Sequence, residues 1–137
     1  MAISNVKATL QVDIERVWQI VTSLYDYSWR SDLSKIEILE DGKKFIEYTR
    51  SGYATTFTIT TFEPMKRYEF DMENDNMSGH WIGLFSKIDG KTEISFTENI
   101  IPKKWIMKPF VGMYLKKQQD TYISDLRKAV SGNLERY

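Results

Sequence analysis

The sequence predicts an α+β fold in which one antiparallel sheet packs against a long carboxy-terminal helix. Strand-like runs follow one another from Ile36 to Ile101 and are separated by short turns such as Asp41-Gly42 and Asp89-Gly90. Their large apolar residues collect on one face when neighbouring runs are paired as hairpins. From Pro109 to Gly132, apolar residues then recur at helical spacing. This spacing predicts a helix long enough to cover that face.

The amino-terminal part supplies one more strand and a short helical region. Residues 3–12 alternate between polar and apolar side chains, which predicts a half-buried strand. Asp13 suits a helix N-cap, and the apolar spacing after it predicts a helix from about Ile14 to Leu24. The segment from Tyr25 to Ser34 is interpreted as a second short helix or an ordered loop. We therefore expect a single domain over residues 1–137, with seven strands and two short helices after the first strand.

Pairing the runs through their turns fixes which side chains face inward. The inner face is expected to hold Tyr48, Phe57, Ile59, Tyr68, Phe70, Trp81, Phe85, Ile94, Phe96 and Glu98. A one-residue slip would turn each of these side chains to solvent, so the agreement of three hairpins supports the register. The position of Tyr48 depends on a four-residue turn at 51–54, which sets it opposite Phe57. Gly83, opposite Phe96, is expected to leave open space on this face.

Several structural motifs resemble those of a known superfamily. They are the opening strand that reaches Val12, the helix carrying Val17-Trp18, the Trp29 segment, the Gly90-Lys91-Thr92 start of the last strand, and the helix from Pro109. With the element order, they are similar to the helix-grip architecture of the START-like (SRPBCC) superfamily, which includes polyketide cyclases and dehydrases, lipid-transfer domains and plant pathogenesis-related allergens. The resemblance implies a cavity between sheet and terminal helix for a hydrophobic or aromatic, lipid- or polyketide-like molecule. It implies no particular reaction, because this fold hosts binders and enzymes alike.

The expected ligand-binding residues are the inner side chains and those near one end of the cavity. They are Trp29, Tyr48, Phe57, Ile59, Tyr68, Phe70, Trp81, Phe85, Phe96, Glu98, Phe110 and Tyr114. The hydroxyls of Tyr48 and Tyr68 either face a ligand or bond locally while the rings pack. Glu98 is the candidate acid or base, because burial among aromatic rings raises the pKa of a carboxyl group. The alternative is that Glu98 reaches solvent or a lysine such as Lys103.

Three functions are open at this point. The leading one is a non-catalytic protein that binds or carries a hydrophobic small molecule. The second is an enzyme of cyclase or dehydratase type, with Glu98 as acid or base and Tyr48 or Tyr68 orienting a carbonyl group. The third is an adaptor that contacts a membrane surface or an acidic partner through the lysines between Lys103 and Lys117. A solvated helix face is the alternative meaning of these lysines.

Composition argues against several other classes. Lysine and arginine total 19, as do aspartate and glutamate, so no basic field for nucleic acid is expected. Cysteine is absent and the single histidine, His80, falls on the outer face, which argues against a metal site. Without a glycine-rich phosphate loop either, no cofactor is expected. The first residues lack a long apolar run, so we expect no signal peptide or membrane span, and a cytoplasmic protein.

Overall fold

The computed structural model describes residues 2–135, apart from the side chains of residues 106, 107, 110 and 132–135. Its elements are β1 (Ala2–Leu10), α1 (Ile14–Thr22), β2 (Leu33–Glu40), β3 (Lys44–Thr49), β4 (Ala54–Glu63), β5 (Arg67–Glu73), β6 (Met77–Ile88), β7 (Lys91–Pro102) and α2 (Val111–Glu135). A 3-10 helix, Trp105–Phe110, precedes α2. The strands form one antiparallel sheet in the order β1-β7-β6-β5-β4-β3-β2. The expected α+β class, with seven strands and a long terminal helix, is confirmed.

The segment between α1 and β2 is an ordered loop. The hydroxyl of Ser23 accepts hydrogen bonds from the backbone N–H groups of Tyr25 and Asp26, at 3.3 and 3.0 Å. Such a side-chain acceptor competes with helical hydrogen bonding. Further on, the N–H of Arg30 donates to the carbonyl of Tyr27 at 3.0 Å and closes a turn. The expected second short helix is therefore wrong, and the loop alternative is correct.

The registers expected for the β5–β6 and β6–β7 hairpins are confirmed, and that of β4–β5 holds as far as the Ile59–Phe70 pair. Phe70 pairs with Trp81 across β5 and β6, and Trp81 pairs with Glu98 across β6 and β7. The β6–β7 turn consists of Asp89 and Gly90, whose φ angles are 49° and 76°. Positive φ at both central residues is what a two-residue hairpin turn of type I′ requires. These registers place one face of β5, β6 and β7 toward α2.

The register expected between β3 and β4 is wrong. Phe57 pairs with Phe45, whereas Tyr48 pairs with Ala54. The ladder ends with a hydrogen bond from the N–H of Thr49 to the carbonyl of Tyr53, so the turn has three residues instead of four. An odd change in register turns a strand over. As a result, Phe45 faces inward in β3 and Tyr48 faces outward.

The core lies between the inner face of the sheet and the two α-helices. Its most deeply buried side chains are Leu10, Val17, Thr92, Ile94, Phe96, Leu115 and Leu126. From α1, Trp18 packs edge to face against Phe85 and Tyr68, with ring centroids 4.9 and 6.0 Å apart. Such aromatic contacts add to the stabilisation from apolar burial. Through them α1 closes one end of the space between sheet and α2.

The middle of α2 is attached at two points. The hydroxyl of Ser4 donates to Oε1 of Gln119 at 2.6 Å, and Nε2 of Gln119 donates to the carbonyl of Ser4 at 3.1 Å. Nearly two turns further on, Oδ2 of Asp125 accepts from the N–H and the hydroxyl of Ser31, at 2.8 and 2.7 Å. These buried contacts fix α2 to β1 and to the loop at 23–32. None of the helices in the described residues is long and apolar enough to cross a membrane.

Candidate ligand cavity

A cavity of about 630 Å³ lies between the sheet, the 23–32 loop and the first half of α2. Its volume is within the range of roughly 300–1,000 Å³ that is common for small-molecule sites. The aromatic residues that line it are Tyr27, Trp29, Phe45, Tyr53, Phe57, Tyr68, Phe70, Trp81, Phe96, Tyr114 and Tyr122. The rings of Phe70 and Trp81 are stacked, with centroids 4.8 Å apart. The cavity wall is therefore largely apolar and aromatic.

The mouth of the cavity lies between the β3–β4 loop and the start of α2. Four lining residues are exposed there: Ser51, Tyr53, Tyr114 and Gln118. Although 62% of Tyr114 is exposed, partial burial of its hydroxyl and the nearby Glu98 carboxylate raise the pKa of Tyr114. Tyr53 and Tyr114 stand at opposite sides of this mouth, one on the loop and one on α2.

A buried ion cluster centred on Arg30 lies in the cavity wall. Nε and Nη2 of Arg30 each donate to one oxygen of Asp32 at 2.9 Å, and Nη1 and Nη2 donate to Glu47 at 3.5 and 3.4 Å. The Cζ atom of Arg30 also lies 4.8 Å from the ring centre of Tyr122. Burial opposes the charge on Arg30, but Glu47 and Asp32 outweigh it and raise the pKa of Arg30. All three guanidinium nitrogens are therefore already engaged.

The two carboxyl groups of this cluster respond differently to their surroundings. For Asp32, burial favours the neutral form, but the hydrogen bonds and charge of Arg30 prevail and lower its pKa. For Glu47, burial dominates and raises the pKa, with Arg30 opposing it only in part. Desolvation and a nearby cation act in opposite directions on a carboxyl group. Asp32 is thus more readily ionised than an ordinary aspartate, whereas Glu47 holds its proton more strongly than an ordinary glutamate.

Glu98 faces the cavity from the inner side of β7. It is 9% exposed, and its Oε2 atom has no hydrogen-bond partner among the residues that the structure describes. Burial, with a further contribution from the charge of Glu47, raises the pKa of Glu98 to about 7. Its expected inward position is confirmed, whereas the alternative of a lysine partner is wrong. Lys103 pairs with Glu73 instead, at 3.0 Å.

Comparison with known proteins identifies the family. A family model described as polyketide cyclase/dehydrase and lipid transport matches residues 1–131. The chain belongs to this START-like family. No curated protein is similar enough in sequence to be recognised as a relative.

Solved structures of low sequence identity share the START-like fold. A conserved protein from Geobacillus kaustophilus is 15% identical with a TM-score of 0.81, and the match covers 96% of both chains. A START superfamily protein from Mycobacterium smegmatis is 13% identical with a TM-score of 0.81, over 95% of this chain and 97% of the other. The Aha1 dimer from Colwellia psychrerythraea is 16% identical with a TM-score of 0.71, over 94% and 96%. At these identities the similarity shows the fold alone.

Most of the expected site residues of this START-like chain come together in the cavity. Those that line it are Trp29, Phe57, Tyr68, Phe70, Trp81, Phe96, Glu98 and Tyr114. Ile59 and Phe85 belong to the packed core instead, where Phe85 contacts Trp18. The expected position of Tyr48 is wrong, because its hydroxyl donates to Glu37 on the outer surface at 2.7 Å. The side chain of Phe110 lies outside the described residues, and the binding roles of all these residues stay predictions.

The START-like cavity also contains residues that the sequence pattern did not indicate. Arg30, Asp32 and Glu47 were missed, although an inward Phe45 would have placed Glu47 inside as well, two residues along the same strand. The space expected at Gly83 is filled by the indole of Trp81, since a Cβ atom there would lie 2.5 Å from its Cη2. Glu47, on the polar side of the cavity, thus comes from β3, the strand whose register was predicted wrongly from the sequence.

The outer surface carries the remaining charged groups considered from the sequence. His80 lies on the outer face, as expected, with Nδ1 2.6 Å from Asp71 and Nε2 2.7 Å from Glu69. In the lysine-rich region, Lys116 lies 3.8 Å from Asp120, one helical turn away. With the Lys103–Glu73 pair, this contact neutralises part of the charge that the adaptor hypothesis requires.

Proposed function

We propose that this protein binds or carries a hydrophobic or aromatic small molecule in the cavity between the sheet and α2. The observation that carries the proposal is the cavity itself, about 630 Å³ in volume and lined mainly by aromatic and aliphatic side chains. Protein interiors are close-packed and contain few voids larger than a water molecule. A space of this size, held open by stacked rings, favours a ligand as its occupant.

Two polar atoms of the lining indicate that the ligand is not wholly apolar. Oε2 of Glu98 and Nε1 of Trp29 are both buried and make no hydrogen bond within the described part of the chain. Leaving such an atom unpaired costs about 1–3 kcal/mol. A ligand with one or two polar groups would recover this free energy. We therefore propose a mainly apolar molecule with a small polar part.

The binding role is preferred to the two alternatives on structural grounds. The enzyme hypothesis used Tyr48 or Tyr68 to orient a carbonyl group, and Tyr48 is directed away from the cavity. The adaptor hypothesis used lysines that are in part paired with neighbouring acids. The adaptor hypothesis also gives no role to the aromatic residues that surround the cavity.

The proposal is tested by filling the cavity from β2. Ile36 lines the cavity, whereas Ile38 is on the same face of the same strand but outside the lining. Both side chains are half-buried, so Ile36→Trp and Ile38→Trp have a similar overpacking cost of roughly 1–3 kcal/mol. We expect Ile36→Trp to weaken binding of the neutral fluorophore N-phenyl-1-naphthylamine about tenfold or more, equivalent to about 1.4 kcal/mol.

The matched variant Ile38→Trp should keep the probe affinity within about threefold of the original, since it leaves the cavity volume unchanged. Circular dichroism of both variants checks that they fold. Equal affinities in the two variants would contradict binding in this cavity. Independently of the variants, native mass spectrometry of the protein purified from its own source gives the mass of any retained ligand.

A further inference from the structure

The lining of the cavity has more acidic than basic groups. Among the described lining residues, Asp32, Glu47 and Glu98 carry carboxyl groups, and Arg30 is the one cation. Each of the three guanidinium nitrogens of Arg30 already donates to Asp32 or Glu47. A carboxylate, phosphate or sulfate on a ligand would therefore meet only a cation that is already paired with Asp32 and Glu47. Burial of such an anion without a cation would be strongly unfavourable.

Glu98 differs from the paired Arg30, because its carboxyl group is buried, has no partner among the described residues and lies beside aromatic rings. Trp81 lies directly across from it in the β6–β7 ladder, and Phe96 precedes it by two residues on the same face. The ring centroids of Trp81 and Phe96 are 4.8 Å apart, and those of Phe96 and Tyr122 are 5.8 Å apart. Aromatic faces attract cations, and a buried carboxylate requires a positive or hydrogen-bonding partner. This combination is suited to an ammonium group.

We infer that the ligand of this cavity is an apolar amine, whose ammonium group binds the carboxylate of Glu98 beside the rings of Trp81 and Phe96. The inference rests on the proposed function and narrows it, since it favours a basic nitrogen over the carboxylate of a fatty acid. Nε1 of Trp29, the other unpaired atom, is a neutral donor that suits an oxygen of the same ligand. Because this group carries no charge, it cannot supply the cation that an anionic ligand would need.

The titratable groups around Glu98 give amine binding a defined pH dependence. Those that act on it or are acted on by it are Glu47 of β3, Arg30 of the 23–32 loop, and Tyr114 and Tyr122 of α2. In the empty cavity Glu98 is largely protonated below pH 7 and ionised above it. Because only the carboxylate pairs with an ammonium ion, affinity for an amine should increase as the pH rises through 7.

A matched series of probes tests the charge preference. 2-(2-Naphthyl)ethylamine, 2-(2-naphthyl)ethanol and 2-naphthylacetate share one ring system and differ in the polar group. Each displaces N-phenyl-1-naphthylamine at pH 8 from the original protein, from Glu98→Gln and from Glu93→Gln. Glu93 is the control, because it lies on the same strand, is exposed and does not line the cavity.

We expect the amine to bind about tenfold or more tightly than the alcohol, and the acetate to bind most weakly, as a paired carboxylate in an aromatic site favours a cation. Glu98→Gln should bring the amine and the alcohol within about threefold of each other, while Glu93→Gln keeps the preference. Lowering the pH from 8 to 6 should reduce the ratio of amine to alcohol affinity in the original protein. This last measurement needs no variant.

The outcomes separate the inference from the proposal on which it rests. If the neutral probe and the alcohol bind but the amine has no advantage, or if Glu98→Gln keeps that advantage, the amine inference is overturned and the binding function stands. Binding of the acetate as tightly as the amine would also overturn the amine inference and leave the binding function in place. If the neutral probe does not bind the original protein at all, both are overturned.

Discussion

Glu98 should make this protein less stable as the pH rises from 5 to 8. In the folded state its pKa is about 7, whereas its ordinary value, expected after unfolding, is 4.5. Between these two pH values the folded carboxyl group keeps its proton and the unfolded one has lost it. The free energy of unfolding therefore falls as the pH rises through this window, and this contribution becomes constant above pH 7.

The size of the effect follows from the two pKa values. A change from 4.5 to about 7, at about 1.4 kcal/mol for each pKa unit, corresponds to about 3 kcal/mol. Little discount for solvent screening applies, because Glu98 is only 9% exposed. Domains are typically stable by about 5–15 kcal/mol, so the loss is a substantial fraction. Glu98→Gln removes the titrating group and should abolish this component.

Urea unfolding followed by tryptophan fluorescence between pH 5 and 8 measures the effect. From pH 5 to pH 8, the free energy of unfolding of Glu98→Gln should rise by about 3 kcal/mol relative to the original protein. The control Glu93→Gln should follow the original protein within about 0.5 kcal/mol. The contribution of His80, on the outer face, cancels in this difference. That of Glu47, whose charge acts on Glu98, is part of the effect that is measured. Parallel profiles for Glu98→Gln and the original protein would refute the reasoning.

Two further variants test the core and the buried ion cluster by the same unfolding measurement. Leu126 is 0% exposed, so Leu126→Ala should lower the free energy of unfolding by about 2–5 kcal/mol. Leu84→Ala, at a residue 43% exposed, should cost clearly less, and equal losses would contradict the packing described. Arg30→Met leaves the buried Glu47 without its cation and should cost about 3–5 kcal/mol. Arg127→Met removes one exposed hydrogen bond, from Nη1 to the carbonyl of Thr9, and should cost about 1 kcal/mol. A loss at Arg30 of the same size would show that the cluster is not structurally important.

The parts of the sheet that could be predicted from the sequence have short turns with distinctive residues. Asp89-Gly90 defines a two-residue turn, and the register of β6 and β7, including the inward position of Glu98, depends on it. In β3 the pattern is ambiguous, since Phe45 favours one face and Ile46 with Tyr48 favours the other. The alternation of apolar residues therefore does not show which face of β3 is buried. The length of the β3–β4 turn determines it.

Two other features depend on interactions between distant residues. The pairing of Arg30 with Glu47 joins an irregular loop to a strand 17 positions away, and no local spacing indicates it. The irregularity between Ile59 and Thr61 in β4 sets Phe62 opposite Tyr68, whereas regular pairing continued from Ile59 and Phe70 would set Thr61 there. It brings the ring of Phe62 to 5.3 Å from that of Trp18. A β-bulge of this kind leaves little trace in the sequence, because it adds only one residue to an otherwise regular strand.

The two attachments of α2 have a mechanical consequence. With Gln119 fixed to β1 and Asp125 fixed to the 23–32 loop, the helix resembles a beam clamped at its middle. The part before the first clamp, residues 111–119, projects for about 12 Å at a rise of 1.5 Å per residue. This overhang carries Tyr114 over the cavity. Bending this overhang away from Tyr53 would open a path for a molecule of cavity size, but it would also withdraw Val111 and Leu115 from the core, while the clamped half of the helix stays in place.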